Sequence, residues 1–327
     1  MALFGAVAAS AQTELTVSSW TPPAHMLSQT QQAWCGLLEE RSEGRLRCRI
    51  LPRAAAPAPG TFDAVRQGLA DVSFTVHGYT PGRFALSALA ELPFLGQSAE
   101  AVSLAYQAVF ERTPAMQAEH EGVKVLAVFV HGPGMVLNTR GPVTRLEELQ
   151  ALKFRIGGGR VQDIGAALGM NVLRRPSAEN LALLSAGAVD GTLMPPESVE
   201  AYRLDGVVRY ATTFPGGLYN TSFVFMMNQG RYDRLPAEDR AVVDALSGEF
   251  AARLFGRGWD RIDRRAMAMM QVSGVQFTPA DPDFVQAVKD RTAPLEAQWA
   301  EAARARGIAD PGKLLADYRA DIARRER

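Results

Sequence analysis

Leu152–Leu168 reads LKFRIGGGRVQDIGAAL. The apolar run ending at Ile156 predicts a strand, Gly157-Gly158-Gly159 a turn, and the spacing of Val161–Leu168 a helix. Strand, turn and helix in immediate succession form the repeating unit of an α/β fold. The same unit recurs on both sides of this stretch. Upstream, strands are predicted at Leu15–Ser19, Arg45–Leu51, Val72–Val76 and Val123–Val130. Helices follow Pro22-Pro23 as far as about Ser42, and cover Phe62–Gly68 and Ser98–Glu119. Downstream come a helix at Ala178–Ala186 and strands at Val189–Leu193 and Ser222–Asn228. Ala237–Val272 contains no proline, so one long helix is expected there, with Gly256 and Gly258 as kink points. Two rounds of strand–helix alternation followed by a long helix imply two α/β lobes with parallel sheets and a shared spine.

The 327 residues are enough for two domains, and 47% hydrophobic content with 21% charge fits a soluble chain with a sizeable core. Thirty-five basic residues balance 35 acidic ones, which leaves no basic field for nucleic acid. No internal apolar run reaches the roughly 20 residues of a membrane span. Met1–Ala11, MALFGAVAASA, is apolar and small, and Ala9-Ser10-Ala11 fits a signal-peptidase site. A truncated secretory leader over 1–11 is therefore expected. Cys35 and Cys48 lie on adjacent predicted elements and either form a disulfide or remain two buried thiols. No Cys/His cluster suits zinc.

Catalytic signatures are missing from the sequence. The glycine triplet lacks the Lys-Ser/Thr of a phosphate loop, and there is no GxSxG elbow. The four histidines, His25, His77, His120 and His131, have no metal spacing. What stands out is polar and aromatic residues at strand ends: Trp20, His77, Tyr79, His131, Arg155, Tyr219 and Asn220. If the strands share one orientation, these converge on one crevice. Arg155 lies within an apolar strand, so its guanidinium should be buried and needs an anion. That anion is either a ligand carboxylate or a structural acid such as Glu197 or Asp190.

WTPPxH at Trp20–His25, SEGR at Ser42–Arg45, GYTPGRF at Gly78–Phe84 and ELPF at Glu91–Phe94 form an ordered series. It continues with LxxLKFR at Leu149–Arg155, ALGMNV at Ala167–Val172 and AGAVDG at Ala186–Gly191. The series resembles the DctP-type substrate-binding proteins of tripartite ATP-independent periplasmic (TRAP) transporters. The resemblance implies a two-lobed periplasmic-binding-protein-like α/β fold with a long helix spanning both lobes. Residues 12–132 plus 221–260 would form lobe I, and 133–220 plus 261–327 lobe II. It also implies hinge closure on a ligand in the periplasm, delivery to the TRAP membrane subunits, and no enzymatic activity. Arg155 matches the arginine that clamps the ligand carboxylate, and Asn220 a crossover position near the ligand.

The chain departs from that pattern in two places. Gly132-Pro133-Gly134 stands where sialic-acid-type members carry a second arginine. Leu193 and Met194 stand where others place a polar or metal-binding side chain. No metal and no cofactor are therefore expected, and a sugar acid is disfavoured. Trp20, Tyr79, Met194 and Phe223 suit an apolar or aromatic monocarboxylate, with His77 and His131 as further candidate ligand contacts. His25 is read as a helix cap. The alternative function with the same lobes is a sensing subunit that presents a carboxylate to a membrane kinase.

Overall fold

The computed structural model describes residues 12–327; the expected leader lies outside them. Eleven strands are β1 (Thr13–Val17), β2 (Leu46–Ile50), β3 (Val72–Val76), β4 (Val123–Val130), β5 (Met135–Asn138), β6 (Lys153–Ile156), β7 (Asn171–Arg174), β8 (Gly191–Met194), β9 (Tyr210–Thr213), β10 (Ser222–Asn228) and β11 (Gln276–Pro279). They form two sheets, ordered β2-β1-β3-β10-β4 and β11-β9-β5-β8-β6-β7. Each sheet is the centre of one lobe. Helices cover the first sheet, so β3 (including Ser73 and Thr75) and the last five residues of β4 are buried.

The sheets are mixed, which corrects the expectation of parallel sheets. β10 runs antiparallel to β3 and β4, and β5 antiparallel to β8 and β9. The reason is topological. The chain leaves the first sheet after β4 and enters the second through β5, then leaves after β9 and returns through β10. A strand entering from the opposite lobe starts where its neighbours end. Phe223 accordingly pairs with Val76, Ser222 with Val130, and Met135 with Met194. Both crossovers, 131–134 and 214–221, therefore run along the carboxyl ends of the parallel strands, where α/β sheets bind ligands.

Glu249–Val272 is the long helix, roughly 36 Å at 1.5 Å per residue. It packs on Met26–Arg41, Ala99–Glu111 and β4 of the first lobe and on the short helix Glu197–Ala201 of the second. The predicted helix Ala237–Val272 is in fact two. Ala237–Ala245 ends before Gly248, which adopts φ 60° and donates its N–H to Leu126 O at 2.6 Å. Gly256 and Gly258 do not interrupt the long helix. They permit close packing, since a Cβ on Gly256 would lie 2.6 Å from Glu100 Cα and one on Gly258 2.7 Å from Met26 Cε. The predicted helix Ser98–Glu119 also divides, at Pro114, which starts a separate turn. Cys35 and Cys48 form a disulfide that ties the first helix to β2, with a Cα–Cα distance of 5.8 Å.

Candidate ligand-binding site

Arg155 is the third residue of β6 and is 2% exposed. Its Nε donates to Arg175 O at 2.8 Å and its Nη1 to Met194 Sδ at 2.9 Å. Neither acid considered from sequence is its partner. Asp190 pairs with Arg140 at 2.7 Å, and Glu197 faces His25 at 3.4 Å. Among the described residues no carboxylate lies in salt-bridge range of Arg155. Burial pushes its pKa down, and the nearby Tyr79, Tyr219 and Tyr202 oppose the shift. Burial raises the pKa of these three phenols, so they remain protonated donors beside the cation. Tyr202 Oη lies 2.8 Å from Ser177 Oγ. The result is a donor-rich end built to receive an anion.

Arg155 opens on a small cavity of about 70 Å³ between the lobes. Its walls are largely apolar, with Trp20, Leu27 and Phe223 from the first lobe and Leu193 and Met194 from the second. Trp20 is held edgewise to Tyr79 at 5.7 Å, and its Nε1 donates to Phe74 O at 2.9 Å. Phe223 stacks on Phe129 at 5.0 Å. His25, His131, Glu197 and Trp259 also line it, with the hydroxyl residues Ser177, Ser198 and Thr221. His25 Nδ1 accepts from Leu27 N at 3.2 Å, so it does cap its helix. Burial lowers the pKa of His25 to about 4, whereas burial and Asp263 raise that of Glu197 to about 8. Both side chains are thus neutral around pH 7, and Arg155 is the charged group of the lining.

The lobes touch at the edge of this cavity. A Cβ on Gly78 would lie 2.5 Å from Gly159 N and Cα, and one on Gly158 would lie 2.7 Å from Gly78 O. Beside this contact the buried Glu91 carboxylate accepts from Arg160 N at 2.8 Å in the second lobe and from Ser222 N at 3.0 Å in the first. A larger cleft, about 1190 Å³, lies behind the crossovers against Pro133, Phe214 and Met267, but of its arginines Arg264 is exposed and Arg325 is half-buried and already paired with Asp321.

Residues 17–302 match the family model described as bacterial extracellular solute-binding protein, family 7, or DctP. The chain belongs to this family. A TRAP periplasmic solute-binding protein from Bordetella bronchiseptica, with bound (R)- and (S)-mandelate, is 38% identical with a TM-score of 0.92, covering 95% of this chain and 99% of that one. A marine metagenome TRAP solute-binding protein specific for aromatic acid ligands, in complex with 3-hydroxybenzoate, is 28% identical with a TM-score of 0.90, covering 97% and 100%. One from Rhodoferax ferrireducens, in complex with copurified benzoate, is 27% identical with a TM-score of 0.88, covering 96% and 99%. The expected TRAP-type family and two-lobed α/β fold thus hold for this solute-binding protein.

Of the candidate residues, the structure brings Arg155, Trp20, Tyr79, His131, Met194 and Phe223 together around one cavity. It places two elsewhere. His77 is not in the lining; it is sealed in the first lobe, with Nε2 2.8 Å from His120 Nε2 and Nδ1 3.0 Å from Ser222 Oγ. The turn after β3 directs Tyr79 into the cavity and His77 away from it. Asn220 is also outside the lining; its Nδ2 donates to His131 O at 2.8 Å and secures the two crossovers to each other. Sequence reasoning missed Ser177, Tyr202 and Trp259, and assigned no ligand contact to His25 or Glu197. Pro195-Pro196 before Glu197 marks a turn at a strand end and was an available signal. Trp259 gave none, because an aromatic on a long amphipathic helix reads as core.

Proposed function

We propose that this protein captures a small aromatic monocarboxylate in the periplasm and delivers it to TRAP membrane subunits. The observation that carries this reading is Arg155, a buried cation with no acidic partner among the described residues, opening on an aromatic-walled cavity. The ligand carboxylate bonds to the guanidinium and to the phenols of Tyr79 and Tyr219. The ring lies between Trp20, Phe223, Leu193 and Met194. The aromatic acids bound by the three similar structures support the same class. A sugar acid would bury several hydroxyls against apolar walls and lose their hydration. Closure bends the crossovers 131–134 and 214–221, and ligand contacts to both lobes favour the closed form. The protein binds and releases its ligand chemically unchanged.

The test is a thermal-shift series. Benzoate, mandelate and 3-hydroxybenzoate should raise the melting temperature by linkage, and glucuronate should not. A shift with glucuronate alone would overturn the reading.

A further inference from the structure

The lining contains an acceptor that the carboxylate does not need and that cannot itself donate. His131 directly follows β4 and is 4% exposed. Its Nδ1 lies 2.5 Å from Gly132 O. A carbonyl oxygen only accepts, so Nδ1 carries the hydrogen. Burial lowers the pKa of the ring to about 4, so it is neutral around pH 7 and Nε2 keeps its lone pair. Among the described residues Nε2 has no hydrogen-bond partner. The ring itself is fixed, edge-on to Tyr219 at 5.3 Å and to Trp259 at 5.9 Å.

The other cavity histidine has the opposite tautomer. His25 Nδ1 accepts from Leu27 N, so its hydrogen is on Nε2, facing Glu197 Oε1 at 3.4 Å. Glu197 also accepts from Ser198 Oγ at 3.3 Å. The Trp20 N–H is taken by Phe74 O. Around the cavity, then, Phe74 O takes the Trp20 N–H, Arg155 and the phenols offer hydrogens, Trp259 Nε1 is a donor without a partner among the described residues, the Ser198 and Thr221 hydroxyls can donate or accept, and His131 Nε2 offers a lone pair and no hydrogen.

We propose that His131 is a specificity-determining residue that accepts a hydrogen bond from a ligand hydroxyl, so that the cavity selects a hydroxylated aromatic carboxylate over its deoxy counterpart. This rests on the aromatic-monocarboxylate reading above. The hydroxyl stands either on the carbon next to the carboxylate or on the ring. A ligand without it leaves a buried acceptor unmade, which weakens binding beyond the loss of one contact.

Calorimetry with matched pairs tests this. Mandelate is compared with phenylacetate and with 2-phenylpropionate, in which a methyl replaces the hydroxyl; 3-hydroxybenzoate is compared with benzoate. In at least one set the hydroxylated acid should bind tenfold tighter or more. His131→Phe keeps a ring and removes the acceptor, and should reduce that preference to within about threefold while still binding the deoxy acid. His131→Gln restores an acceptor and should retain part of the preference. Equal affinity within both sets for the wild-type protein overturns the inference and leaves the aromatic-acid reading standing. A preference undiminished in His131→Phe also overturns it. Failure of all five acids to bind overturns the aromatic-acid reading itself. If His131→Phe does not fold, the wild-type pairs decide the matter alone.

Discussion

His77 and His131 occupy equivalent places in sequence, each directly after a strand of the first sheet, yet their surroundings differ. His120 Nδ1 donates to Met116 O at 2.9 Å, so its Nε2 accepts from His77, whose other nitrogen meets Ser222 Oγ. Every ring nitrogen of that pair is satisfied inside the protein. His131 satisfies one nitrogen, lines the cavity, and has no partner for the other among the described residues. Arg155 shows the same difference from Arg140, whose charge is answered by Asp190. A polar residue at a strand end is structural when its hydrogen bonds close within the protein. It is a ligand contact when one remains open to a cavity.

The largest effect should come from Arg155→Met. Removing the charge that receives the carboxylate should weaken binding by about 3 to 5 kcal/mol, measured by calorimetry. It should also raise the melting temperature of the ligand-free protein, because a buried cation without an acid is replaced by an apolar side chain. A drop in that temperature would place Arg155 with the closed networks. Next is His77→Leu, which leaves His120 and Ser222 without their partner. It should cost about 1 to 3 kcal/mol in chemical unfolding and leave the affinity of the folded protein within about twofold. A selective loss of affinity would erase the contrast between the two histidines.

Gly78→Ala tests the contact between lobes. Its Cβ would press on the Gly159 backbone, so ligand binding should weaken by on the order of 1 kcal/mol with little change in unliganded stability. The smallest effect is on pH dependence. Burial raises the pKa of Glu197 from 4.5 to about 8 and of Asp263 from 3.8 to about 7, so their stabilising contribution erodes as pH rises above the ordinary carboxyl range and is gone once pH passes the raised values. His25, His120 and His131 are lowered from 6.5 to about 4, so theirs is lost as pH falls below 6.5. The melting temperature of the ligand-free protein should therefore peak near pH 6.5. A steady rise from there to pH 8 would show that the carboxyls are not held neutral.

Much of this was legible before the fold. Arg155 could be picked out because a charge in the run KFRI has no solvated place to go. The glycine triplet marked the turn that follows it. Strand direction was not legible: an apolar run such as Ser222–Asn228 has the same composition whichever way it enters a sheet. The break at Gly248 was hidden because it depends on a hydrogen bond to β4, far away in sequence. His77 and His131 could not be separated either, since the difference lies in partners that only the folded chain supplies.

The most direct test of the central claim is a crystal structure with mandelate bound. The account predicts carboxylate oxygens at about 3 Å from the Arg155 guanidinium, with the ring between Trp20 and Phe223. A ligand carboxylate held elsewhere, with Arg155 still engaged only by Arg175 O and Met194, would contradict it.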